Sequence, residues 1–128
     1  IWTLWSKNWE FDEATYARSA QAFESPDFVD IVLHSYRHRF GGIDGDPAVA
    51  DIEARLAEQP AITVPTLILQ GVDHGVDPPS DSAYVREKFT ASYDRRVLPN
   101  VGHNPPQESP DAFANAVLDV SDRTGQKL

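Results

Sequence analysis

The chain has 128 residues, a formal net charge of −9 and no cysteine or methionine. That length fits a single domain. The spread acidity opposes a nucleic-acid partner, whose phosphates need clustered Lys and Arg. The lack of cysteine excludes disulfides, thiolate nucleophiles and cysteine-based metal sites. No apolar run reaches the ~20 residues a membrane helix needs. The first residues lack the basic-then-apolar pattern of a signal peptide, so a cytoplasmic location is expected. A chain that begins at Ile1 without an initiator Met leads us to expect a fragment or a processed product.

Residues 1–11 hold all three tryptophans, Trp2, Trp5 and Trp9, together with Leu4 and Phe11. So short a segment cannot shelter that much aromatic surface by itself. It must lie against something or line a pocket. Asp12 is placed to cap a helix running to about Phe23. Glu24-Ser25-Pro26-Asp27 then stops and restarts the chain, with Ser25 expected as cap and Pro26 in the first turn. The second helix reaches about Arg39 and ends at Gly41-Gly42. Asp46-Pro47 repeats the cap-plus-proline start of a third helix, to about Glu58, which carries an apolar stripe of Val49, Ile52 and Leu56.

Past residue 60 the pattern changes. Thr-Leu-Ile-Leu follows Pro65 without a polar break until Gln70, which predicts a strand over 64–70 buried on both faces. Gly71 ends it, and Asp73, His74, Gly75, Asp77 and Pro78-Pro79 follow. Ser80, Asp81 and Ser82 open a predicted helix through Tyr84, Val85 and Phe89. A second strand is predicted over 93–98, more exposed because it carries Arg95-Arg96. Residues 99–108 read as a loop containing Gly102-His103-Asn104. Ser109-Pro110-Asp111 starts a last helix with Phe113, Ala116, Val117 and Val120 on one face, and 121–128 read as a frayed tail. The expected fold class is α/β, with an all-helical portion over 1–60 and a β-α-β-α portion over 61–128. The two strands are expected to be parallel neighbours joined by a helical crossover.

In open α/β sheets chemistry collects beyond the carboxyl ends of the strands. Here an acid and an imidazole follow the first strand, and a Gly-His follows the second. The segments PTLILQG..DHGVDPP and LPNVGHNPPQESPDAFANAVLD resemble the last third of an α/β-hydrolase. The resemblance covers Val64 to about Val120, and residues 1–60 look like the helical cap that some of these enzymes insert. The superfamily includes esterases, lactonases, haloalkane dehalogenases, epoxide hydrolases and cofactor-free haloperoxidases. What the resemblance implies is the C-terminal part of a hydrolase with no cofactor, in which His103 is the base. The usual pattern after the first strand is Gly, two residues, then the catalytic Asp. Counted from Gly71, that place holds His74, and Asp73 is one residue early. Asp73 or His74 therefore orients His103, with Asp77 third because Asp-Pro more often shapes a loop.

A metal held by His74, His103 and Asp73 lacks any ligand-spacing signature, and none is expected. His34 and His38 lie four apart on a helix, but Arg37 and Arg39 beside them favour a basic surface patch. Trp2, Trp5, Trp9 and Tyr36 are candidates to line a substrate pocket, and plain packing accounts for any one of them equally well. No Gly-x-Ser-x-Gly or Gly-x-Asp-x-Gly nucleophile turn occurs. The expected reading is thus an ester- or lactone-type hydrolase whose nucleophile lies in a preceding half, with this chain inactive alone. The alternatives are a dehalogenase or epoxide hydrolase with an Asp nucleophile, or a non-catalytic binding domain using the aromatic segment. The expected companions are that preceding half or a second copy of the chain, since a lone strand pair leaves an open edge and uncovered faces.

Overall fold

The computed structural model describes residues 1–80 and 83–125. They divide into two compact units, one of Glu10–Pro60 and one of Ile1–Trp9 with Ala61–Leu128. The helical portion expected over 1–60 is therefore shorter than predicted. Its first nine residues join the strand-bearing unit, because the main chain at Trp5 and Ser6 hydrogen-bonds the strand-end turns rather than the helices that follow it.

The unit of Glu10–Pro60 is helical. Helix α2 (Glu13–Ala20) starts where predicted, with the Asp12 carboxylate accepting the Thr15 amide at 2.7 Å. Helix α3 (Phe28–Arg39) has no side-chain cap. Ser25 does not fill that role. Its carbonyl instead accepts the Phe28 amide in a turn, and the Phe23 and Phe28 rings meet at 5.0 Å across the break. Gly41 takes a left-handed φ of 73° and ends α3, a conformation that glycine adopts without a Cβ clash. Asp46 accepts the Ala48 amide at 2.9 Å over a short 3-10 turn that begins at Pro47. Helix α4 (Ala50–Ala57) continues from it. Tyr36 stacks near Phe40, with ring centroids 6.3 Å apart.

The other unit opens with one helical turn, α1 (Trp2–Trp5). Strand β1 (Thr66–Gly71) and strand β2 (Tyr93–Leu98) are parallel, in register from Thr66↔Tyr93 to Gly71↔Leu98. The crossover between them contains α5 (Ala83–Arg86), and the expected start of that helix at Asp81 and Ser82 lies outside the described residues. Helix α6 (Pro105–Glu108) follows β2, and α7 (Pro110–Thr124) closes the unit. The tail predicted from 121 is helical to Thr124. Gly125, at φ 68°, caps it, and residues 126–128 are not described.

Phe89, Val101 and Ala116 are the buried hydrophobic residues of this core. Strand β1 is not buried on both faces as predicted: Thr66 to Gln70 are all half-buried. Among the described residues β1 has a single strand partner. Beside it an open apolar groove of about 380 Å³ runs between Leu67 and Leu69 of β1 and Phe113, Val117 and Val120 of α7. The charges of β2 are tied down locally. Arg96 pairs with Asp94 and with Asp119 of α7, and Arg123 of α7 pairs with Asp94. None of the helices of the described residues is long and apolar enough to cross a membrane.

Candidate functional site: an imidazole pair at the strand ends

Parallel pairing brings the carboxyl ends of β1 and β2 side by side, so the turns after Gly71 and Leu98 must share one space. They are knitted backbone to backbone: the Val72 amide donates to the Leu98 carbonyl and the Asp73 amide to the Val101 carbonyl, both at 2.9 Å. A Cβ at Gly71 would collide with the carbonyl oxygens of Val101 and Gly102. That close approach is why glycine stands at the end of β1.

His103 and His74 meet in this space. Their Nδ1 and Nε2 atoms are 2.8 Å apart, and the rings cross edge-to-face with centroids 4.5 Å apart. Asp73 is turned away, its Oδ2 accepting the Asn8 side-chain amide at 2.8 Å. Of the residues weighed for orienting His103, His74 makes the contact. Asp77 contributes through its backbone, donating its amide to His74 Nδ1 at 2.8 Å and accepting the Gln70 side-chain amide at its carbonyl. The Val76 amide also donates to His74 Nδ1, at 3.2 Å. The His74 ring is therefore held by two main-chain donors on one side and by His103 on the other.

The His103 backbone is held from the first residues of the chain and, through its neighbours, from α6. Its amide donates to the Trp5 carbonyl at 3.1 Å and to Ser6 Oγ at 3.0 Å. Ser6 is fully buried, and its Oγ also lies 3.4 Å from the Asn104 side-chain amide. Glu108 clamps the loop from the other side, accepting the Gly102 amide at 2.6 Å and the Asn104 amide at 2.8 Å. The Trp5 ring stands edge-on to the His103 ring at 4.8 Å. Burial and then the neighbouring His74 lower the pKa of His103 from its ordinary 6.5, and Glu108 opposes them. The site thus favours a neutral imidazole.

The aromatic candidates separate. Trp5 lies on the imidazole. Trp2 and Trp9 pack on each other, with ring centroids 5.1 Å apart. Tyr36 belongs to the helical unit. Three contributors were missed from sequence: Ser6, Asn8 and Glu108. The signal for Glu108 was the proline pair at 105–106. Prolines suit a first helical turn, and an acid following them can reach back to free amides. Residues 105–108 are helix α6 rather than the loop predicted.

No family model and no curated protein matches the chain. A solved structure does: that of a "putative epoxide hydrolase" from Klebsiella pneumoniae subsp. pneumoniae MGH 78578 is similar, with a TM-score of 0.89 and 46% sequence identity. The match covers 95% of this chain and 40% of that one. Two parallel strands with their helices, carrying their site at the carboxyl ends, form part of an α/β-hydrolase-like fold. The chain spans well under half the length of the protein it resembles.

Proposed function

We propose that this chain supplies the proton-transfer part of an α/β-hydrolase-type enzyme, with His103 as the working imidazole and His74 as its orienter. The observation that carries this is the 2.8 Å contact between the two rings at the ends of adjacent parallel strands. The nucleophile would come from sequence outside these residues, and no cofactor enters the reading. The edge of β1 that has no strand partner among the described residues and the apolar groove beside it are where the remainder of such a fold, or a second copy, would pack. The helices of Glu10–Pro60 would belong to a cap.

Likeness to a chain named for epoxide hydrolysis, at 46% identity, favours a carboxylate nucleophile. In that chemistry the carboxylate attacks an epoxide carbon, the C–O bond breaks, the freed oxygen takes a proton from an acid in the completed site, and a hydroxyalkyl ester forms. Water then attacks the ester carbonyl, gives its proton to a base, and frees the diol and the carboxylate, a part His103 takes only while its outward nitrogen carries the lone pair. The second reading, ester or lactone hydrolysis by a serine nucleophile, rests on the same imidazole and differs in the covalent intermediate, an acylated serine in place of an alkylated carboxylate.

The test is hydrolysis by the full-length protein of a terminal aryl epoxide and of an aryl ester, with and without His103→Gln. Loss of about 10-fold or more of one activity in the variant supports the reading. Mass mapping of the covalent intermediate then separates Asp from Ser. An H103Q protein that turns over both substrates at the parent rate would sink it, as would hydrolysis by residues 1–128 alone.

A further inference from the structure

We propose that His74 fixes His103 in the tautomer opposite to the one a general base needs, with the proton on Nε2 and the lone pair on Nδ1. The argument follows the hydrogens. The amides of Val76 and Asp77 both point at His74 Nδ1, at 3.2 and 2.8 Å. Main-chain N–H groups are donors only, and a ring carbon cannot accept them, so His74 Nδ1 must carry the lone pair. A neutral imidazole has one N–H, which His74 must then carry on Nε2. That atom lies 2.8 Å from His103 Nδ1, so His74 donates and His103 Nδ1 accepts. The one proton of neutral His103 is left on Nε2.

A carboxylate behind the imidazole does the reverse. It accepts Nδ1–H and leaves the Nε2 lone pair free to take a proton from water or from a nucleophile. With Nε2–H facing outward, His103 is a donor suited to an oxygen acceptor such as a carboxylate or an ether oxygen. It has no lone pair there with which to take a proton. Converting it to imidazolium would set its Nδ1–H against the His74 Nε2–H. Of the charged groups around it, Glu108 favours the positive ring through space but offers it no acceptor. Glu108 spends both oxygens on the Gly102 and Asn104 amides, Asp73 faces Asn8, and the 1–9 segment meets His103 through the uncharged Trp5 and Ser6. The depressed pKa of His103 has the same sign.

Position 74 thereby sets whether the site gives or takes a proton. Its effect on rate rests on the hydrolase reading, while the tautomer does not. Two substitutions distinguish the polarity. In His74→Asp one carboxylate oxygen can accept the Val76 and Asp77 amides and the other can accept His103 Nδ1–H, so the tautomer inverts. In His74→Asn the side-chain oxygen is claimed by the same two amides, and the NH2 is left to donate to His103, so the tautomer stays.

The experiment is nitrogen NMR of the full-length protein with 15N-labelled histidine imidazoles, His103 being assigned by His103→Gln. Above neutral pH the parent and H74N should show a protonated, pyrrole-type Nε2 on His103. H74D should show a protonated Nδ1, a titration midpoint moved upward, and a rise in turnover on the order of 100-fold or more, since a donor placed behind a catalytic imidazole costs up to about 10⁴-fold. A protonated Nδ1 on His103 in the parent, a spectrum that needs no variant to fold, would overturn the proposal. So would identical tautomers in H74D and H74N. The predicted tautomers without hydrolysis in any of the proteins would leave this inference standing and reject the hydrolase reading.

Discussion

The two turns that build the site are held by opposite means. After β1, the His74 ring is fixed from within its own turn, by amides two and three residues on. After β2, the fixed object is the His103 main chain, and two of its anchors lie at the far end of the sequence: Ser6 is 97 residues away. The first turn sets the polarity of a side chain, and the second sets the place of a backbone. Orientation can therefore be rewritten by one local substitution, whereas position depends on contacts no single turn contains.

The largest break in this comparison should come from Glu108→Ala. It strips acceptors from the Gly102 and Asn104 amides together, and bonds to an ionised group are worth about 1.5–3 kcal/mol each. We expect about 2–3 kcal/mol of lost stability by urea denaturation of the full-length protein. Activity should fall as well, because His103 loses its seat. A loss under about 0.5 kcal/mol would mean that α6 does not hold the second turn.

Acid sharpens the comparison by acting on the side-chain turn. The folded pKa of His103 lies below its ordinary value, so the unfolded chain binds the proton first. The associated stability is complete above pH ~6.5 and is lost as pH falls from there through the folded value. Thermal unfolding midpoints should be level between about pH 7 and 8 and decline below about 6.5. That decline should be smaller in His103→Gln. Equal pH dependence in both proteins would show that the ring senses no such environment.

The smallest effect is expected from Asp73→Asn. Asp73 meets Asn8 in an exposed hydrogen bond that an amide oxygen can still accept. Stability should move by no more than about 0.5 kcal/mol, and turnover should fall much less than with a change at His103. A collapse of turnover to the level of His103→Gln would make Asp73, not His74, the orienter.

What was legible in the sequence was what is local. The 93–98 strand was placed at its observed bounds, and the Asp12 and Asp46 caps and the Gly41 stop were read from residues within four of one another. Strand β1 begins two residues later than expected, at Thr66, just after Pro65, which has no N–H to give a ladder. The choice between Asp73 and His74 was not legible. It turns on which way each side chain leaves a turn whose backbone is pinned to Val101, and that pairing exists only after the strands align. The Trp5 carbonyl could not have been foreseen at all, since every residue carries a carbonyl and composition cannot mark one.

That same carbonyl accepts both the Gly75 amide and the His103 amide, at 3.0 and 3.1 Å. A single peptide group thus bridges the turns after both strands. The consequence is one of timing. Closing a contact across 97 residues carries a larger loop-closure cost than a local turn or helix does. Helices within Glu10–Pro60 and the pairing of β1 with β2 need no such closure. On a ribosome the segment at Trp5 emerges before His103 and waits for it, so the contacts that seat the imidazole pair are expected to close after the local helices.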